Sequence, residues 1–226
     1  MKRKIAILGS TGSIGKTLLD IISKDKKNFD VQLLTANNDY KTLLNQAKKF
    51  KVKNLIILNK ESYFLLKKKT KNLNIKIFNN FNKLDKIFKY KADYVMSSIV
   101  GIDGLSPTIK IIKFTKKIVI ANKESIVCGW NLIEKELTKY KTEFIPVDSE
   151  HFSIWYALQN NKTNNIDKIF LTASGGPFLR KSIKKINLND ALKHPNWKMG
   201  KKISIDSATM MNKVFEIIEA KNIFNI

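Results

Sequence analysis

The apolar residues of the first half of this chain come in short unbroken runs, and each run is followed by a stretch with helical spacing. "KIAILG" (4–9) is a continuous apolar run ending in glycine, and "SIGKTLLDIISKD" (13–25) then places Ile14, Leu18, Ile21 and Ile22 at helical intervals. The pattern repeats. Strands are expected at 31–36, 53–59, 75–78, 93–100 and 117–122, and helices at 40–50, 61–71, 83–90 and 105–115. Strands that are apolar throughout, alternating with amphipathic helices, predict an α/β fold: a Rossmann-like parallel sheet with helices on both faces.

The alternation stops near residue 145, after the short run "TEFI". Beyond it, "HFSIWYALQN" (151–160) has helical character and "KIFLTASGG" (168–176) reads as a strand entering a loop of small residues. The polar stretch 180–202 fits either a lid or a loop with one short helix. Residues 206–224 read as one helix, with Asp206 or Ser207 as its N-cap. This predicts a dinucleotide-binding domain over 1–145 and an incomplete α+β catalytic domain over 146–226.

Composition changes the picture little. The 226 residues are 43% hydrophobic, enough for a core, and no run approaches the roughly 18 apolar residues of a membrane span. The start is basic, then apolar, then small, but "IAIL" is shorter than the roughly 7–15 residues of a signal-peptide core, which predicts a cytoplasmic N-terminus. The single cysteine, Cys128, agrees with a reducing compartment and reads as a small core residue. The net charge of +23 raises nucleic acid as a partner. However, only Arg3 and Arg180 are arginine, the residue that base and bidentate phosphate recognition favour, and the lysines are spread along the whole chain. Solvated lysine faces explain that texture better than a nucleic-acid surface.

Two stretches carry chemistry. "GSTGSIG" (9–15) lies between the first strand and the first helix, where glycines permit a tight turn and helix N-terminal amides face a pyrophosphate. The segment "TANND" (35–39) has no acid at the strand end to hold a ribose 2′-hydroxyl, and Asp39 comes late. Asn37, Asn38 and Lys41 are candidates for a 2′-phosphate, which favours NADP over NAD. The second stretch is "PVDSEH" (146–151). In an extended segment Asp148 and Glu150 project from one face and repel each other unless a proton or cation lies between them. Carboxylates without paired cysteines or histidines suit Mg²⁺ or Mn²⁺, and Glu216 or Glu219 offers a third ligand. A capping turn plus an ordinary surface glutamate fits the same spacing equally well.

"GSTGSIG", "ANKES", "PVDSEH", "TASGGPF", "HPNWKMGKKISIDSATMMNK" and "FEIIEA", in this order along the whole chain, resemble the 1-deoxy-D-xylulose 5-phosphate reductoisomerase family. The resemblance implies an NADPH-dependent oxidoreductase of the non-mevalonate isoprenoid pathway. Such an enzyme isomerises and reduces that phosphosugar to 2-C-methyl-D-erythritol 4-phosphate. It implies cofactor contacts at Thr11, Gly12, Ser13, Ile14, Asn122, Glu124 and Gly200, with Asn37 and Asn38 at the 2′-phosphate end. It implies Asp148, Glu150 and Glu216 as ligands of Mg²⁺ or Mn²⁺. Lys123 and Ser149 would meet the oxygen-bearing carbons of the substrate, beside Glu150 and Glu216. Ser174, Ser207, Asn212 and Lys213 would hold the phosphate with His194 close by, and Trp197 and Met199 would lie on a closing lid. Lys123, Asp148, Glu150 and Glu216 are thereby the catalytic set. The resemblance further implies a homodimer, with neither nucleic acid nor membrane as partner.

Three departures accompany it. Asn37 and Asn38 stand where relatives carry a glycine and then a basic or small polar residue, and Val214 stands where they carry glycine. Relatives also continue well past the last residues of this chain, with further sheet and a C-terminal helical domain. The chain is therefore read as C-terminally truncated: a fragment of a longer product, or a decaying copy of low or absent activity, with an inactive relative that only binds the dinucleotide as the alternative function.

Overall fold

The computed structural model describes residues 1–159, 167–179, 186–195 and 200–225. It divides the chain into two compact units, Met1–Val147 and Asp148–Ile226.

In the first unit the apolar runs become seven parallel strands: β1 (Arg3–Leu8), β2 (Phe29–Ala36), β3 (Asn54–Ile57), β4 (Lys76–Phe78), β5 (Ala92–Ser97), β6 (Thr115–Ile120) and β7 (Glu143–Pro146), in the spatial order β4-β3-β2-β1-β5-β6-β7. The chain starts in the middle, walks outward to β4, and returns to the other side of β1. The direction therefore reverses between β1 and β5, which pair from Ile5↔Tyr94 to Leu8↔Ser97. Ligands of open parallel sheets bind beyond the strand ends at such a reversal. The expected α/β architecture with a Rossmann-like sheet is present.

The helices α1 (Ser13–Lys24), α2 (Tyr40–Phe50), α3 (Lys60–Lys69) and α4 (Leu105–Ile112) follow their strands as the periodicity indicates. The core runs through Ile5, Ile7, Leu34, Leu43, Leu55, Ile57 and Leu66. At roughly 1.5–3 kcal/mol for each fully buried aliphatic side chain, this cluster is the main stabiliser of the unit. On α1 the buried face differs from the expected one. Gly15, Leu19 and Ile22 are buried, whereas Ile14 and Ile21 are exposed. The helix is rotated because Gly15 presses against the loop before it: a Cβ there would lie 2.5 Å from Ser10 Cα.

Two further expectations for this unit fail. Residues 83–90 form only a 3₁₀ turn at Leu84–Lys86. A segment this short has too little helix to repay nucleation, and it uses its apolar groups singly, with Leu84 and Phe88 buried and Phe88 stacked on Phe114. Cys128 is exposed rather than in the core. It lies on α5 (Lys123–Tyr140), a helix the sequence pattern leaves unassigned. The buried face of α5 holds Ile126, Gly129, Trp130, Ile133 and Leu137, and the helix kinks at Gly129, where a Cβ would strike the Leu105 side chain at 2.5 Å.

The second unit is helical: α6 (Ser149–Leu158), α7 (Leu188–Ala191), α8 (Lys201–Ala208) and α9 (Met211–Phe224). The strand expected at 168–176 is absent; the described residues offer it no ladder partner, and an unpaired strand has no stability of its own. The single helix expected over 206–224 is two helices, broken at Met210 with φ 61°. Asp206 and Ser207 lie in the last turn of α8 rather than at an N-cap. Asp206 is paired with Lys202 at 2.6 Å, and the Thr209 hydroxyl bonds back to the Ile205 carbonyl at 2.9 Å. That local bonding competes with continuing the helix. Among the described residues no helix is long and apolar enough to cross a membrane.

Replacing a helical glycine by alanine ordinarily gains up to about 1 kcal/mol. At Gly15 the clash with backbone reverses the sign. Gly15→Ala is expected to lose about 1–3 kcal/mol in urea unfolding, and a stabilised variant would show that the loop and helix do not approach this closely.

Candidate active site

In the first unit the loop after β1 is held from beneath. Gly9, at φ 80°, comes so close to β5 that a Cβ would lie 2.8 Å from the Ser98 carbonyl oxygen. The Gly9 N–H donates to Thr35 Oγ1 at 2.9 Å, and the Ser10 N–H donates to the Thr35 carbonyl at 2.8 Å. Ser10, fully buried, donates its hydroxyl to Gln46 Oε1 at 2.8 Å, and Gln46 Nε2 returns a bond to the Ser10 carbonyl at 2.8 Å. Sequence reasoning missed Gln46. Its signal was a polar residue on the buried face of α2. With the loop pinned below, Thr11 is half-buried and Gly12, Ser13 and Ile14 are exposed above it. Gly12 occupies the N-cap of α1 without a capping side chain, so the first amides of the helix keep their donors for a ligand.

Asn37 and Asn38 are exposed at the end of β2. The late acid, Asp39, caps α2 by accepting the Thr42 N–H at 3.0 Å. Burial raises its pKa, but the Thr42 bonds and the charges of Lys16 and Lys41 outweigh that and lower it. Asn122 is buried, and its side chain is committed to structure: Nδ2 donates to the Gly101 and Ile99 carbonyls, and Oδ1 caps α5 by accepting the Ser125 N–H at 2.7 Å. Lys123 and Glu124, half-buried, open α5 beyond the end of β6.

In the second unit the segment 148–150 is not extended. Asp148 sits at the N-cap of α6, and Ser149 and Glu150 form its first turn. Asp148 makes no capping bond with its side chain, so the capping reading of "DSE" does not hold. Instead α9 brings Glu216 to the same place. One oxygen from each of Asp148, Glu150 and Glu216 lies within 4.8 Å of the others. Glu216 is 1% exposed. Lys213 donates to Glu150 Oε1 at 3.2 Å, to Glu216 Oε2 and to the Thr172 carbonyl, and Asn212 donates to Glu216 Oε1. Burial would lower the Lys213 pKa, yet Glu216 and Glu150 raise it. Burial would also raise the Glu150 pKa. The Ser149 hydroxyl, at 2.7 Å, the Asp148 carboxyl and Lys213 overcome this and hold it at about 2.

The remaining candidates fall around the loop at 174–176. Ser174 Oγ lies 3.1 Å from His194 Nε2. Gly175 and Gly176 both have positive φ, 78° and 64°, and Gly176 sits where a Cβ would meet the Ser207 carbonyl oxygen at 2.8 Å. The chain thus folds the "ASGG" turn directly onto the end of α8. Gly200 occupies the N-cap of α8, and among the described residues nothing lies within 4 Å of where a Cβ would be. Val214 is 44% exposed, so its side chain displaces nothing. Trp197 and Met199 lie outside the described residues.

A parallel sheet reversing at a glycine turn, followed by a unit with three converging carboxylates, defines a Rossmann-like α/β protein with an appended carboxylate-bearing unit. The chain belongs to the 1-deoxy-D-xylulose 5-phosphate reductoisomerase family: that family matches residues 5–129, and its C-terminal domain matches residues 144–224. It is 64% identical to the 1-deoxy-D-xylulose 5-phosphate reductoisomerase of Pelagibacter ubique over 99% of this chain and 59% of the relative. It is 46% identical to that of Wolbachia pipientis over 99% of this chain and 58% of the relative. Among solved structures it is similar to the reductoisomerase from Zymomonas mobilis in complex with NADPH, with TM-score 0.89 and 35% identity over 100% of this chain and 59% of that one. It is similar also to a DOX-P reductoisomerase in complex with NADPH, fosmidomycin and magnesium, with TM-score 0.89 and 38% identity over 99% of this chain and 59% of that one. The chain therefore spans about 59% of the length of these relatives.

A carboxylate whose folded-state pKa lies below its unfolded value stabilises the fold above the unfolded pKa, and that stability is lost as pH falls through the folded one. For Glu150 the window runs from about 4.3 down to about 2. In chelator, wild type should lose thermal stability more steeply across it than Glu150→Gln. Parallel melting curves would contradict the depressed pKa.

Proposed function

We propose that this chain carries the cofactor, cation and substrate residues for the NADPH-dependent isomerisation and reduction of 1-deoxy-D-xylulose 5-phosphate to 2-C-methyl-D-erythritol 4-phosphate. The observation that carries the reading is the meeting of Asp148, Glu150 and Glu216 in a member of the reductoisomerase family. Three hard oxygen donors within 4.8 Å, one of them on a buried side chain, fit Mg²⁺ or Mn²⁺. The glycine turn fits a pyrophosphate, because Gly9 and Gly15 occupy places a Cβ would fill and the helix start above them is open. When bound, the cation would supply Lewis acidity at the substrate oxygens and NADPH would supply the hydride.

The protein's own groups do the rest. Asp148, Glu150 and Glu216 are the cation ligands. Thr11, Gly12, Ser13 and Ile14 receive the cofactor, with Glu124, Gly200 and the backbone of Asn122 at its edge and Asn37 and Asn38 at the 2′-phosphate. Ser149 and Lys123 orient the substrate's carbon–oxygen groups. Ser174, His194 and Ser207 would supply N–H and O–H donors for its phosphate, joined by Asn212 and Lys213 when a cation takes over the carboxylates they hold here. The phosphate is then a remote anchor whose binding energy orients the reacting carbons. The cytoplasm is the compartment and a homodimer the assembly this reading carries.

The test is NADPH oxidation by the purified 226-residue chain with the phosphosugar and Mn²⁺. Oxidation should require the substrate and fall at least about 100-fold in Glu150→Gln, as loss of a Lewis-acid ligand predicts. NADPH binding without oxidation would leave the second reading, a dinucleotide-binding protein without turnover.

A further inference from the structure

Two groups beside the carboxylates have no part in that reading, although they are buried as deeply as Glu216. His151 is 1% exposed and Glu219 is 2% exposed. An imidazole and a carboxylate at a helix interface cost free energy that an apolar pair would not. A functional duty accounts for their presence better than packing does.

Their geometry shows which duty. His151 is on α6, three residues after Asp148, and its Nε2 lies 2.8 Å from the backbone carbonyl oxygen of Glu216 on α9. A carbonyl only accepts, so Nε2 carries the proton. The other ring nitrogen, Nδ1, faces Glu219 Oε2 at 3.8 Å, beyond a direct hydrogen bond. The ring lies against Phe224, with centroids 6.4 Å apart and planes 23° from parallel. One atom from each of Asp148, His151 and Glu219 falls within 4.8 Å of the others.

We infer that His151 and Glu219 are positioning residues for the cation site, an inference that rests on the cation reading above. Two proposed ligands, Asp148 and Glu150, ride on α6, and the third, Glu216, rides on α9. A slip of one residue between the helices, about 1.5 Å along the axis, would pull the third carboxylate away. The His151 bond ends on the carbonyl of the residue that supplies that carboxylate, so it fixes the backbone origin of Glu216 relative to α6. Glu219, about one helical turn beyond Glu216, closes the space beside the ring's other nitrogen, and Phe224 limits its tilt. Outer partners of this kind set ligand geometry in metal sites.

The test is Mn²⁺ titration of the full chain followed by electron paramagnetic resonance, with Glu216→Gln as the ligand control. Wild type should bind one Mn²⁺, and Glu216→Gln should lose it. His151→Phe keeps an aromatic ring against Phe224 but has no donor, and should weaken binding by about 10–100-fold and change the zero-field splitting of the bound ion. His151→Gln places an amide N–H near the same carbonyl and should recover affinity to within about threefold, since one neutral donor replaces another. Wild-type affinity in a folded His151→Phe, or equal loss in the Phe and Gln variants, overturns the inference. So does a second Mn²⁺ per chain that disappears in His151→Phe, which would make His151 a ligand. If His151→Phe does not fold, Glu219→Gln decides: weakened binding supports positioning and unchanged binding overturns it. Wild type that binds no Mn²⁺, or binds it undisturbed in Glu216→Gln, sinks the cation reading itself and the positioning role with it.

Discussion

The second unit is organised around buried carboxylates. Helices bury leucine and isoleucine on their inner face; α9 buries Glu216, Glu219 and Ala220. Each ionised carboxylate taken from water costs several kcal/mol unless charge and hydrogen bonds replace the solvent. Asn212 and Lys213, one turn earlier on the same helix, answer that demand by turning back to Glu216. Lys213 extends the compensation across to Glu150 and to the Thr172 carbonyl, so one ammonium ties α6, α9 and the loop between them. The stacking of His151 on Phe224 adds the only aromatic surface described at that contact. A hydrophobic α9 would pack more cheaply, but it would remove the third carboxylate from the cluster with Asp148 and Glu150.

The first unit solves a different problem, the close approach of backbone to ligand. A phosphate-binding turn must expose its amides on one face and satisfy its remaining groups on the other. Here Thr35, Ser10 and Gln46 take the lower face, and the glycines clear the space. Rigidity beneath the loop is what allows openness above it. The same division appears at Asn122, whose side chain is entirely occupied with the loop at 99–101 and the start of α5, so that the neighbouring Lys123 and Glu124 are presented from a fixed helix terminus.

What was legible in the sequence follows from how local each signal is. The strands centre on apolar runs, such as Ile5–Leu8 of β1 and Leu55–Ile57 of β3, because both faces of a parallel sheet are covered, and that run pattern survives without knowledge of the fold. The glycine turn and the carboxylates of "DSE" were visible for the same reason: they are concentrated chemistry in few residues. Misreadings occurred where a nonlocal term decides. Residues 83–90 have helical spacing but satisfy their apolar groups one at a time. Residues 168–176 look like a strand, yet a strand exists only with a partner. The break at Met210 comes from a single left-handed residue, φ 61°, which the helical spacing of 206–224 does not signal. Glu219 was noticed as a spare acid, and nothing in its spacing indicated that it faces an imidazole from another helix.

The proposed preference for NADPH illustrates how a departure from the family pattern can be neutral. An acid at the end of β2 would bind a ribose hydroxyl and repel a 2′-phosphate. Asp39 is near enough in sequence to raise that concern. Its carboxylate, however, faces back into α2, engaged by the Thr42 N–H and flanked by the charges of Lys16 and Lys41. Negative charge is thereby compensated within the helix start, and the exposed groups at the strand end are the uncharged amides of Asn37 and Asn38. On the proposed reading these amides would donate to a 2′-phosphate without the attraction of a basic residue and without repelling it. Discrimination between the two dinucleotides would then rest on removing the acid more than on adding a cation, a selectivity that would weaken with ionic strength less than a lysine-based one.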